Sequence, residues 1–229
     1  MRRVDINGRA GRTIANGIDE TWVMDAKARR GDPVQHDGAT ATAPNVREYL
    51  ATLPNAMVTL PDRLRAARSR GAPAIVRLCP GVGGHGFPME SWAVSPIPEF
   101  CEREELALAI DYEGAPAFPW SEVVAFARAY PRLAVLVLGA PLAGPTASRA
   151  LDATANLVLD TSGLATAADL PALAEMVRHC GAYRVAYGSG ETAVGVGEIE
   201  RVLRSEDASV IFSGTAAHLH AGSWASEYL

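Results

Sequence analysis

Asn156-Leu157-Val158-Leu159-Asp160-Thr161-Ser162-Gly163 is a short apolar run that ends abruptly in polar residues, and Tyr183-Arg184-Val185-Ala186-Tyr187-Gly188-Ser189 repeats the pattern some 25 positions on. Between them Leu173, Met176, Val177 and Cys180 recur at i, i+3, i+4 and i+7, the spacing of one helical face. Asp169 stands where it can cap that helix, and Gly181 where a left-handed turn can leave it. Strand, helix, strand is the unit of a parallel sheet, whose strands are covered on both faces and therefore read as continuous apolar runs.

Working outward, similar runs fall at 3–7, 21–25, 56–60, 74–79, 106–111 and 133–138, besides 156–159 and 183–187. About eight of them in alternation with helical patterns predict an α/β chain, a single (β/α)₈ TIM-like barrel spanning 1–229 as one domain. Pro61 lies just inside one helix start and Gly71 follows its end. Ser121 is placed to cap a second helix, which carries Val123, Phe126, Ala127 and Tyr130 before Pro131 stops it. Ile199, Val202 and Leu203 mark another. Between Asn7 and Thr21 there is room for a loop and hardly for a helix, so the barrel is expected to be abbreviated between its first two strands. The polar stretch 31–44 predicts a long loop at the barrel mouth.

Composition narrows the function classes. The chain has 229 residues, 48% of them hydrophobic, with a formal charge of −5. That balance leaves no electrostatic footprint for nucleic acid or an anionic lipid surface. Lys27-Ala28-Arg29-Arg30 is short and reads as a solvated loop face. No apolar run approaches a membrane span, and Met1-Arg2-Arg3-Val4-Asp5 enters a strand without the apolar stretch of a signal peptide. Cys79, Cys101 and Cys180 are odd in number and far apart, so free thiols and a cytoplasmic location are expected.

In such a barrel the site lies at the carboxyl ends of the strands. Those ends offer Asp5, Asn7 and Arg9, which alternate onto one face; Asp25 and Lys27; Arg77 and then Pro80-Gly81-Val82-Gly83-Gly84-His85-Gly86-Phe87; Asp111 and Glu113; Gly139-Ala140-Pro141; Asp160-Thr161-Ser162-Gly163; and Gly188-Ser189-Gly190-Glu191. His85 in its glycine-rich loop is the candidate for acid–base work, with Asp111 as a second titrating group. A solvated loop histidine is the competing account. Asp5, Asn7, Arg9, Asp25, Arg77, Glu113, Asp160 and Glu191 are candidate ligand-binding residues. Arg9 can fork onto a carboxylate, either of a ligand or of Asp5, Asp25 or Asp111 in an internal ion pair. Asp25, Asp111, Glu113 and Glu191 could together hold Mg²⁺ or Ca²⁺ at a non-standard carboxylate site. For His179, the dipole at the helix C-terminus is explanation enough. Trp224 and Tyr228 can cover an apolar patch on this chain or on a neighbour.

The ordered motifs Val4-Asp5-Ile6-Asn7, Val76-Arg77-Leu78-Cys79-Pro80 with His85-Gly86-Phe87, Leu157 to Ser162, Arg184 to Ser189 and Ile211 to Leu219 resemble the amidohydrolase superfamily, in its amidohydrolase-related branch of metal-dependent hydrolases. The resemblance implies a divalent metal at the mouth that lowers the pKa of water toward about 7. It also implies where the ligands would fall, and there this chain departs. Asn7 and Arg9 stand for a His-x-His pair, Asp111 for the strand-five histidine, Ala140 or Pro141 for the strand-six histidine, and Gly190 for the strand-eight aspartate. Lys27 is the only lysine, against the carboxylated lysine that bridges two metals in some members. A guanidinium at Arg9 would repel a dication by several kcal/mol at roughly 4 Å. The expectation is therefore a degenerate metal site with no cofactor. The chain would be a pseudoenzyme that either binds a small molecule or supports a partner subunit, in a homodimer or in a complex with a metal-bearing homologue. The alternative is an active hydrolase or decarboxylase acting on a small carboxylate-bearing substrate through His85 and the mouth carboxylates.

Overall fold

The computed structural model describes residues 2–9, 14, 16–25, 27–36, 43–81, 83–112, 117–190 and 194–221. Glu113, Glu191, Trp224 and Tyr228 lie outside them, as do 37–42 of the expected mouth loop. The strands are β1 (Val4–Arg9), β2 (Glu20–Met24), β3 (Val46–Glu48), β4 (Leu50–Ala51), β5 (Ile75–Leu78), β6 (Ala107–Asp111), β7 (Val135–Leu138), β8 (Leu157–Asp160) and β9 (Val185–Ala186). All pairings are parallel, in one sheet ordered β1-β2-β3 and another ordered β4 to β9.

Hydrogen bonds join the two sheets at both ends. β3 and β4 are one stave broken at Tyr49, whose N–H donates to Val23 O at 2.9 Å. On the other side Ile6 N–H donates to Tyr187 O at 2.8 Å, and Gly190 N–H to Asn7 O at 2.9 Å. The strand order thus returns to β1, in a TIM-like α/β arrangement.

The helices are α1 (Leu60–Ser69), α2 (Ser91–Val94), α3 (Pro96–Arg103), α4 (Trp120–Ala129), α5 (Pro145–Asp152), α6 (Leu170–Cys180), α7 (Val196–Val202), α8 (Ser205–Ser209) and α9 (Thr215–Ala221). Each of the longer ones buries a stripe, such as Val123, Phe126 and Ala127 of α4 or Leu173, Met176 and Val177 of α6. Asp169 does not cap α6 through its side chain; it forms a capping box with Thr166 one turn earlier. Ser121 falls inside α4, which starts at Trp120. Among the described residues between Asn7 and Thr21 there is no helix. No helix among the described residues is long and apolar enough to cross a membrane.

One expected strand is absent. Positions 56–60 are apolar but form the end of a 3₁₀ turn and the approach to α1, with Val58 93% exposed. Pro54 and Pro61 bracket the stretch, and proline has no N–H to give to a ladder. The third stave is instead Val46 to Ala51, whose Arg47 and Glu48 disguise it.

Alternation along the strands builds two apolar layers. Val76 and Leu78, Leu108 and Ile110, Val135 and Val137, Leu157 and Leu159 face the helices. Ile75, Ala107, Ala109, Leu136, Leu138 and Val158 fill the lumen with Val4, Ile6, Trp22 and Tyr49. Carried on by two residues, the inward rows end in Arg77, Asp111 and Asp160. A β-bulge between Asp5 and Gly8 breaks the simple alternation of β1, so that both Ile6 and Asn7 join the lumen. The strand ends therefore meet as one buried polar layer.

Candidate site at the barrel mouth

Arg77 is at the centre of that layer, 1% exposed. Its Nη2 donates to Asp111 Oδ2 at 2.7 Å and to Asn7 Oδ1 at 3.1 Å, and its Nε reaches Asp111 Oδ2 at 3.2 Å. The guanidinium also lies 5.0 Å from the centroid of the Tyr49 ring, a cation–π contact. Burial works against its charge, but the Asp111 carboxylate and the other groups around it together outweigh this and hold Arg77 protonated. Arg29 adds a second cation to Asp111, Nη2 to Oδ2 at 2.6 Å. Cys79 Sγ stands 3.7 Å from the same oxygen, and burial reinforced by Asp111 pushes its thiol pKa up, so it is no nucleophile.

Asn7 links this ion pair to a second acid. Its Nδ2 donates to Asp160 Oδ2 and to Ser162 Oγ, both at 3.0 Å. Ser162 Oγ donates to Asp160 Oδ2 at 2.6 Å, and Gly139 N–H donates to Asp160 Oδ1 at 2.9 Å. Burial pushes the Asp160 pKa up to about 7, against the pull of these hydrogen bonds and of Arg77. Asp5 is also pushed up by burial, while Ser189 supports its charged form through N–H (2.9 Å) and Oγ (2.6 Å).

The glycines at the end of β9 fit this network and exclude a side chain. A Cβ on Gly188 would lie 2.3 Å from Asp160 Oδ2 and 2.9 Å from Asn7 Cβ. Gly190 has φ +46, and a Cβ there would lie 2.5 Å from Ser162 Cβ. An aspartate at 190, the position the resemblance gives to a metal ligand, would collide with the serine that hydrogen-bonds Asp160.

The described residues do not fit a divalent metal at this place. The space between Asn7 and Asp111 is bridged by a buried guanidinium, and an ion there would compete with Arg77 for the same oxygens. Among the described residues no three carboxylate, imidazole or thiol groups gather at the mouth. The carboxylate set considered for Mg²⁺ or Ca²⁺ includes Glu113 and Glu191, which lie outside the described residues.

The other candidates make their own contacts around the mouth. Asp25 accepts Lys27 N–H at 2.6 Å and serves its own turn. Arg9 closes β1 opposite Met24 and is partly exposed; the guanidinium on Asn7 and Asp111 is that of Arg77. His85 is half-buried in the loop after β5, its Nε2 2.9 Å from Gly31 O and its ring stacked on Phe87 with centroids 6.3 Å apart. Arg29, read from sequence as a solvated charge, is 20% exposed and paired with Asp111. No local pattern marks it, since the contact spans 82 residues. Tyr49 is not marked by any local pattern either, whereas Ser162 and Ser189 stand in the strand-end segments, and Asp160-x-Ser162 has the spacing of a side-chain turn.

No protein-family model matches the chain. No curated protein matches it in sequence. Solved structures match its fold. A dihydroorotase from Campylobacter jejuni is similar over 96% of this chain and 83% of its own, at 12% identity and a TM-score of 0.69. An amidohydrolase from Burkholderia multivorans, with bound HEPES, is similar over 96% of this chain and 99% of its own, at 14% identity and a TM-score of 0.66. A 5-carboxyvanillate decarboxylase from Sphingomonas paucimobilis is similar over 90% and 80%, at 13% identity and a TM-score of 0.61. What these hydrolases and this decarboxylase share with the chain is the TIM-like α/β fold.

Proposed function

We propose that this chain is an amidohydrolase-related barrel whose metal centre has been replaced by an internal ion-pair network, and that it binds a small molecule at its mouth without metal-assisted hydrolysis. The observation that carries the proposal is Arg77, which hydrogen-bonds Asn7 and Asp111 at once. Hydrolysis on such a scaffold needs a dication with an open coordination position. At roughly 4 Å and an effective dielectric of about 20, a guanidinium and a dication repel by about 8 kcal/mol. Arg77 also keeps one buried donor, Nη1, without a hydrogen-bond partner among the described residues. A ligand carboxylate or carbonyl is the acceptor that would satisfy it.

Metal analysis of the purified chain, together with assays on amide, ester and lactone substrates, tests this proposal. The expected result is no turnover and no metal whose retention depends on Asp111. One equivalent of zinc lost in Asp111→Asn, with hydrolysis lost alongside it, would overturn the proposal. A partner role predicts co-purification with a metal-bearing homologue or a homodimer by light scattering, and a lone monomer in both measurements removes it.

A second reading, an active hydrolase or decarboxylase, is favoured by one detail of His85. With Nε2 donating to Gly31 O, Nδ1 is a buried lone pair without a partner among the described residues, which is the state of a general base. On that reading Arg77 holds the substrate carboxylate and Asp111 is the second polar group. His85→Ala then abolishes any turnover found in the panel, and unchanged turnover excludes the assignment.

A further inference from the structure

α5 and α6 end side by side on the outer surface, and their last residues bring together three ligand types. Asp152 is the final residue of α5; His179 and Cys180 are the final two of α6. His179 Nε2 is 3.1 Å from both Asp152 carboxylate oxygens, and Cys180 Sγ is 3.9 Å from Asp152 Oδ1. One ligand atom from each of the three lies within 4.8 Å of the other two. They border an open cavity of about 390 Å³, lined also by Leu151, Thr154 and Arg184.

We propose that Asp152, His179 and Cys180 form a binding site for a borderline divalent transition ion such as Zn²⁺, with the fourth position open to the cavity. Thiolate, imidazole and carboxylate are the three ligand classes such ions take, at about 2.3, 2.0 and 2.1 Å. A tetrahedron with those bond lengths has N–O and S–O edges of about 3.4 and 3.6 Å. The observed 3.1 and 3.9 Å bracket these values, so small side-chain rotations suffice. The side chains of His179 and Asp152 are 57% and 54% exposed, which leaves them free to make that adjustment. Two helix C-termini converge here, and their negative dipole ends favour a cation. Arg184 opposes it from the cavity wall, but its N–H groups are turned onto the carbonyls of Leu157 (2.6 Å), Thr154 (2.9 Å) and Leu151 (3.3 Å). The site is on the opposite end of α5 and α6 from the barrel mouth and does not depend on what the mouth binds.

Titrating the chelator-treated full chain with Co²⁺ reads the site directly, since a thiolate ligand adds an S-to-cobalt charge-transfer band and four-coordination intensifies the visible bands. The expected result is one equivalent of Co²⁺ with both signatures, displaced by Zn²⁺ and unaffected by excess Mg²⁺. Cys180→Ser should abolish the charge-transfer band, and His179→Ala and Asp152→Asn should each weaken binding at least tenfold. All three substitutions are at partly or fully exposed positions, and unchanged far-UV circular dichroism verifies the fold. Absence of the band at millimolar Co²⁺, or its survival in Cys180→Ser, would overturn the proposal.

Discussion

The lower and upper halves of the lumen are built on the same strands, two residues apart, and they obey different physics. Below, Ile75, Ala107, Ala109, Leu136 and Val158 are packed without charge, and each large side chain contributes about 1.5–3 kcal/mol by leaving water. Above, Arg77, Asp111, Asn7 and Asp160 are as deeply buried, but the cost of stripping water from ions cancels much of their attraction. The lower layer makes the barrel stable. The upper layer is tolerated because Arg77 pairs with Asp111 and the Asp160 carboxyl is hydrogen-bonded, and it gives the mouth a fixed polar shape that an apolar filling could not.

Disrupting the upper layer at one point should therefore cost about as much as disrupting the lower one. Arg77→Met removes the buried partner of Asp111, leaving it the partly exposed Arg29, and is expected to destabilise the chain by up to about 3–5 kcal/mol in urea unfolding. Arg77→Met combined with Asp111→Leu should cost less than the single change; a double variant as unstable as the sum would show the pair to be independent, against the contacts seen. In the lower layer, Leu136→Ala should cost about 2–5 kcal/mol through transfer and cavity, with no change in its dependence on pH. Gly190→Ala adds a Cβ against Ser162 at a positive φ and should cost about 1–3 kcal/mol, and Ser162→Gly should recover part of it.

The halves also differ in their response to pH. Asp160 has a folded pKa of about 7 against an ordinary 3.8, so between those values the folded chain holds a proton that the unfolded chain releases. Its contribution is complete below about pH 4 and is lost as pH rises through about 7, because stability falls with pH wherever the folded state binds more protons. Asp5 acts in the same sense. Thermal melts from pH 5 to 8 should show this fall, reduced in Asp160→Asn and retained in Leu136→Ala; an unreduced fall in Asp160→Asn assigns it to another group. The smallest effect belongs outside both halves: Val58→Thr, at 93% exposure, should stay within about 0.5 kcal/mol by the same urea assay.

How far the sequence alone carries depends on how local each signal is. Apolar runs at 74–79, 106–111, 133–138 and 156–159 each mark a true strand to within two residues at either end, because strands covered on both faces are mostly apolar. The run at 56–60 fails for the same reason in reverse: its apolar side chains are local facts, whereas its prolines and solvent exposure belong to the fold. Val46 to Ala51 hides because Glu48 and Arg47 are polar and only their neighbours make them part of a stave.

By itself the amino-acid order determined an α/β barrel-type chain and the polar strand ends Asn7, Arg77, Asp111 and Asp160, since hydrophobic periodicity is written residue by residue. Only the tertiary structure decided that Arg77 rather than Arg9 bridges Asn7 and Asp111, that Arg29 turns inward, and that Ser162 stands against Gly190. Those are contacts across 28 to 82 positions, and which side chain reaches a buried charge is settled by the geometry of closure and the cost of leaving that charge alone.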